Sequence, residues 1–206
     1  MPQDVFFDIT MSLDGYIAGV NDSPELGLGV DGKHLHQWVT NLKGWREQHG
    51  LEGGEESEVG ERLRALQESA GASIMGHRMF EVGFPNWGED PPFHQPVFVL
   101  THHARDPIPM QGGTTYHFVT EGPERALELA READGGKDVH LAGGAKCIQQ
   151  YLNAGLVDHF TIHIAPMLLR SGVRLFEDTA VGLKELEIVH SDFDGRWHHT
   201  QYRYPR

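Results

Sequence analysis

The chain has 206 residues, 39% hydrophobic and 23% charged, values that suit one globular domain and exclude a disordered or fibrous chain. Its formal net charge of −13 gives a surface that repels a phosphate backbone, so no nucleic-acid partner is expected. No run reaches the roughly 18 apolar residues of a membrane span. Met1–Asp4 has neither the basic nor the apolar part of a secretory signal, and a single cysteine, Cys147, fits a reducing compartment, so a cytoplasmic location without a membrane partner is expected.

Val5–Met11, apolar on both faces at its start, reads as a central strand. It runs into Ser12–Gly19 and a Gly-, Asp- and Pro-rich stretch to Gly32, a long loop of the kind that carries function. A short helix is predicted over His34–Val39. Asn41–Gly60 is polar and rich in Gly and Glu, so a mobile insertion around 41–60 is expected over one face of a single domain spanning 1–206. Val59, Leu63, Leu66 and Ala70 recur at helical spacing and predict an amphipathic helix that stops at Gly71. Ala72–Met75 reads as a short buried strand, and Gly76–Glu81 begins a turn or helix. Pro96–Leu100 and Thr115–Val119 read as strands, and Pro123 suits the first position of a helix through Arg131. Asp138–Leu141 reads as a strand that Ala142-Gly143-Gly144 turns into a helix carrying Ile148, Tyr151 and Leu152, closed by Gly155. This repeated strand, helix, strand order predicts an α/β fold with a largely parallel central sheet. Near the end, Phe160, Ile162 and Ile164 alternate with His159, Thr161 and His163. Leu186–Ser191 and Trp197–Tyr204 flank Asp194-Gly195, so an antiparallel hairpin is expected to close the sheet edge.

Three strand ends carry anion-compatible chemistry. Gly143 and Gly144, at a predicted helix start, would let backbone N–H groups approach a pyrophosphate; such a pair also makes an ordinary tight turn. The spaced three-glycine dinucleotide fingerprint and the phosphate-loop lysine are both missing, so neither standard nucleotide fold applies. Met75-Gly76-His77-Arg78 ends a strand in glycine and follows it with two basic side chains, although a plain surface arginine would read the same way. Leu100-Thr101-His102-His103 ends another strand in a hydroxyl and imidazoles. Ligands collect at the carboxyl ends of strands in open α/β sheets, and parallel strands would bring these three ends to one edge. The 14 histidines could suggest metal, but no metal site is expected from them. His34/His36, His102/His103 and His198/His199 lack the helical i, i+4 spacing, and His159 with His163 on one strand face reads as solvated or core-satisfied imidazoles.

The succession of Ser12–Ala18, Met75–Glu81, Leu141–Gly144 to Gly155–Asp158, and Leu168–Phe176 resembles the dihydrofolate reductase superfamily. The resembling branch includes the C-terminal reductase domain of the bacterial riboflavin-biosynthesis deaminase-reductase, and the likeness runs from Val5 to Tyr204. It implies a three-layer fold around a mixed, mostly parallel sheet, NADPH as hydride donor, and a homodimer. It assigns Ala142, Gly143, Gly144 and Ala145 to the pyrophosphate, and Gly76, His77 and Arg78 to the cofactor phosphates. Thr101 and His102 fall near the adenosine ribose phosphate, and the loop Leu13–Ala18 over the nicotinamide. Within that loop Asp14 is the ionisable candidate for catalysis with Tyr16 beside it, although Asp14 could equally cap the turn. Leu13 and Ile17 are assigned to the substrate side and Ala18 to the cofactor. Trp38 and Trp87 are candidates to stack on a planar substrate, or aromatics that anchor a loop.

The chain departs from that branch at informative positions. His77-Arg78-Met79 stands where Arg-Arg-Thr is common, and His102 where a basic residue follows the threonine. Both changes reduce permanent positive charge, so cofactor binding is expected to depend on pH. Tyr16 stands where the branch often has a cation. The acidic residue that dihydrofolate reductases place on their first helix has no counterpart in His34–Val39, and no deaminase segment is expected ahead of the reductase-like part. The expected activity is therefore NADPH-dependent hydride transfer to a small planar heterocycle other than dihydrofolate. The alternative is a non-catalytic dinucleotide-binding or sensor protein of the same fold.

Overall fold

The computed structural model describes residues 3–179 and 185–205. The chain opens with β1 (Val5–Ser12) and the three-residue β2 (Tyr16–Ala18), then a 3-10 turn over Gly32–His36 that continues as α1 (Gln37–Thr40). Next come α2 (Lys43–Gln48), α3 (Glu58–Ser69), β3 (Ala70–Gly76) and α4 (His77–Gly83). β4 (Pro96–Leu100), β5 (Ile108–Pro109) and β6 (Thr115–Val119) lead to α5 (Pro123–Ala133) and β7 (Asp138–Gly143). The rest is α6 (Ala145–Asn153), β8 (His159–Ala165), β9 (Val173–Arg174), β10 (Glu187–Phe193) and β11 (His198–Arg203).

Nine strands form one sheet in the order β10-β11-β8-β1-β7-β3-β4-β6-β5. From β8 to β6 all neighbours run parallel. The hairpin β10–β11 at one margin and β5 at the other are antiparallel. The mixed, mostly parallel sheet with a terminal hairpin is the architecture that the pattern predicts. β2 and β9 make a separate antiparallel pair.

The strand period of two sorts the core into layers. On one face Val5, Phe7, Ile74, Phe98 and Leu141 pack against Ala126, Leu127 and Ala130 of α5 and Ile148, Tyr151 and Leu152 of α6. Pro123 begins α5 without wasting an N–H donor, and its carbonyl accepts from the Tyr151 hydroxyl at 2.8 Å, tying the two helices together. On the other face Met75, Val97 and Val99 pack under Phe80 of α4, while Leu35, Trp38, Leu42, Val59 and Leu63 cover the β8 side.

Local corrections follow from pairing. Ala70, expected to end the helix, begins β3, because its extended backbone (φ −76°, ψ 139°) lets it pair with Asp138. The 41–60 segment holds α2. Its ends are tied by Lys43 N donating to Glu55 O at 2.9 Å and Glu55 N to Asn41 O at 2.8 Å. No helix among the described residues is long and apolar enough to cross a membrane.

Candidate active site

The carboxyl ends of β1, β3, β4 and β7 open on one cavity of about 1050 Å³. β3 delivers Gly76 with His77 and Arg78, β4 delivers Leu100 with Thr101, His102 and His103, and β7 delivers Ala142 with Gly144, Ala145 and Lys146. The three strand ends singled out in the sequence therefore do converge. Gly143 has φ +117°, where a side chain would be strained, and the Gly143–Gly144 peptide is cis. A Cβ at Gly144 would meet nothing within 4 Å, so the start of α6 faces open space.

The loop between β2 and the 3-10 turn roofs the cavity with Asp22, Pro24, Glu25, Gly27 and Leu28. It folds on itself through Gly19 N to Leu28 O (2.8 Å) and Val30 N to Val20 O (2.9 Å). Gly19 is required there because a Cβ would fall 1.8 Å from the Val30 carbonyl oxygen. A latch holds the roof down. Arg78 Nε donates to Asp22 Oδ2 at 3.0 Å and Nη2 to Oδ1 at 3.1 Å, with a further bond to the Asp22 carbonyl. Hence the permanent cation expected to serve phosphate is already paired, with a carboxylate the sequence did not nominate. His77 Nε2 lies 3.2 Å from Glu81, and its Nδ1 is buried without a partner. Thr101 Oγ1 accepts from His103 N at 3.1 Å, which turns the chain at the strand end.

Of the remaining candidates, Ile17, Ala18, Trp38 and Trp87 line the cavity, and Leu13, Asp14 and Tyr16 do not. Leu13 is 66% exposed. Asp14 Oδ1 accepts from Ser12 Oγ at 2.6 Å and Leu169 N at 3.1 Å, and Oδ2 from Arg170 N at 2.8 Å. The Ser12 hydroxyl, ahead of the two backbone amides, lowers the Asp14 carboxyl below its ordinary value. Tyr16 sends its hydroxyl to Arg170 O at 3.3 Å, and Arg174 sits 4.7 Å over its ring. Both side chains fasten the 169–174 segment to the loop, where the cavity wall is shaped from behind. Trp87 stacks on Tyr116 and meets Phe93 edge-on, so it anchors the wall as well as lining it.

The half of the cavity over β1 and β8 holds polar groups to which the sequence analysis assigns no part in the site. Asp8, Thr10, His36 and His163 line it beside Trp38 and Trp45. The indole Nε1 of Trp38 donates to Thr10 Oγ1 at 2.9 Å. Burial would push Asp8 up, but the imidazoles of His140 and His163 outweigh it and hold the carboxyl well below the ordinary range. His36 is pushed down to about 4, chiefly by burial, and its Nδ1 has no partner. Among the described residues no group of three or more His, Cys, Asp or Glu side chains could hold a metal ion.

A mixed sheet sandwiched between helices, with glycine-marked strand ends opening on one cleft, defines a dihydrofolate reductase-like α/β protein. Residues 3–196 match the model of the RibD C-terminal domain, and the chain belongs to that family. The fold is similar to a crystal structure of a putative riboflavin biosynthesis protein from Shewanella sp. PV-4, at 22% identity and a TM-score of 0.70, covering 99% of this chain and 100% of that one. It also matches a diaminohydroxyphosphoribosylaminopyrimidine deaminase/5-amino-6-(5-phosphoribosylamino)uracil reductase from Thermotoga maritima, at 13% identity and a TM-score of 0.62, covering 98% of this chain and 57% of that one. An uncharacterized Bacillus subtilis protein, YyaP, is 49% identical over 43 residues, which span 21% of this chain and 23% of YyaP.

Proposed function

We propose that this chain is an NADPH-dependent reductase of a small, planar, pyrimidine-type heterocycle. The observation that carries the reading is the convergence of Gly76, Thr101 and Gly144 on one cavity, at the ends of three parallel strands. The residues fit a dinucleotide. Open space at Gly144 beside the α6 amides suits a pyrophosphate, Lys146 lines the same wall, and Arg78 becomes available to a ligand that displaces Asp22. NADPH, when bound, supplies the hydride. The protein positions and encloses: the roof loop covers the cleft, and Trp38 and Trp45 offer flat apolar walls on the β1 side. Support for a pyrimidine-type substrate comes from family membership and from the named reaction of the Thermotoga maritima relative.

A homodimer is part of the reading. Its support is β10, an edge strand whose Ile188, Val189 and Phe193 stand exposed. Fluorescence titration with NADPH and NADH at about pH 6 and about pH 8 tests the cofactor assignment, since imidazoles near a 2′-phosphate add charge only when protonated. NADPH should bind more tightly, with a margin that shrinks at the higher pH. Equal affinities at the lower pH reject it. NADPH oxidation against a panel of pyrimidinediones and quinones separates turnover from a sensor role.

A further inference from the structure

Under the reductase reading, hydride transfer leaves the substrate needing one proton. Asp14, the ionisable residue of the 13–18 loop, is committed to the backbone of Leu169 and Arg170. A different set of groups reaches the cavity. Asp8 Oδ2 lies 3.8 Å from His163 Nε2, His163 Nδ1 lies 2.7 Å from His199 Nδ1, and His199 Nε2 lies 3.4 Å from Asp194 Oδ2. Asp8 and His163 line the cavity, and Asp194, in the turn between β10 and β11, is 33% exposed. Strand register builds the line: Asp8 of β1 pairs with Thr161 of β8, two residues before His163, and His163 pairs directly with His199 of β11. Trp38 covers both rings, with centroids 4.3 Å from His163 and 4.7 Å from His199, and its N–H is spent on Thr10.

Proton counting gives this line its meaning. It has three junctions, and two neutral imidazoles carry only one N–H each. One junction must therefore lack a proton. The junction at His163 Nε2 is the longest of the three, at 3.8 Å from Asp8 Oδ2, and no hydrogen bond closes it. A third proton completes the line by making one shared imidazolium between two carboxylates, under an indole face that stabilises a cation. Burial and the charge of His163 push His199 down to about 4, so the pair resists a second extra proton. The surrounding groups are His140 of β7, 3.1 Å from Asp8 Oδ1, His36 of the 3-10 turn, and Asp192 of β10, which is paired with Arg62 of α3 and His190.

We propose that Asp8, His163, His199 and Asp194 form a proton store for the reduction, discharging through Asp8, whose carboxylate lines the cavity next to His163 Nε2. NADPH, when bound, would supply a hydride, both electrons included, to the carbon of a C=N or C=O bond. The π pair moves to the heteroatom and takes a proton from Asp8, which in the same step takes the one on His163 Nε2. The proton shared by the two Nδ1 atoms settles on His163, and His199 keeps the one facing Asp194, so both rings end neutral. Solvent restores one proton after the product leaves. Asp8 is the catalytic residue in this scheme, and His163, His199 and Asp194 are positioning residues.

Nitrogen-15 spectra of the imidazole-labelled full chain, without cofactor, test the store. In the wild type the His163 and His199 nitrogens should shift together in one step as the pH falls, with a second, separate step at lower pH. Asp194→Asn retains the oxygen that accepts from Arg196 N and Trp197 N but removes the charge facing His199, and should lower the joint step by about one pH unit. Rings that titrate separately, or a joint step unmoved in Asp194→Asn, overturn the proposal. In turnover, Asp194→Asn should displace the pH profile of kcat with KM unchanged; a loss independent of pH overturns it too. A wild type that binds no NADPH fails the reductase reading alone, and the spectra still decide the store.

Discussion

Acid should unfold this protein earlier than its carboxylates require, because two buried imidazoles refuse a proton that the unfolded chain accepts. His36 and His199 are both held down to about 4 from an ordinary value of 6.5. A group depressed on folding contributes stability that is complete above the unfolded value and is lost as pH falls toward the folded one. The window here is therefore about pH 6.5 to about pH 4, above the range in which Asp8 begins to protonate in the unfolded chain. At about pH 5 each imidazole forfeits RT times the logarithm of roughly 30, about 2 kcal/mol, so the pair costs about 4 kcal/mol relative to pH 8. That is a large share of the 5–15 kcal/mol typical of a domain. Urea unfolding followed by circular dichroism at about pH 8 and about pH 5 measures it, and His36→Gln should retain only about half of the loss. A wild type equally stable at both pH values, or a His36→Gln variant that loses as much, would refute the reasoning.

Three further outcomes follow from the site. Gly144→Val should fold normally, because its side chain enters open space, yet weaken NADPH binding by at least about tenfold, roughly 1.4 kcal/mol; fluorescence titration of the folded variant decides. Asp22→Asn removes the carboxylate that occupies Arg78 and should raise NADPH affinity several-fold in the same titration, with unchanged affinity showing that the arginine takes no part. Asp14→Ala should lower the melting temperature and expose 168–172 to proteolysis while leaving NADPH binding in place; a selective loss of hydride transfer with an intact melting temperature would return Asp14 to catalysis.

The strands with a full period were readable in the sequence, and Pro96–Leu100 and Thr115–Val119 match residue for residue. β2, β5 and β9 were not, because two or three residues display no period and each is extended only by its partner across the chain. The glycine-marked strand ends were legible for a related reason: backbone approach and helix starts are local properties. Asp8, His163 and His199 carry no local signal. They lie far apart along the chain and become neighbours only through the order β1, β8, β11. Asp14 misleads in the opposite way, since its place in a recognisable loop says nothing of the backbone amides that arrive from Leu169 and Arg170.

The latch between Asp22 and Arg78 bears on which anions the cleft admits. A tethered carboxylate competes at an effective concentration in the millimolar range or above, whatever the solution contains. Free inorganic phosphate, offering one contact, must outbid that intramolecular rival at every encounter. A dinucleotide, on the reading proposed above, would engage strand ends on either side of the arginine at once and so give up little by displacing one carboxylate. The latch thus acts as a filter on valency, keeping abundant simple anions out while leaving the cleft open to a ligand long enough to reach Gly144 and Thr101 together.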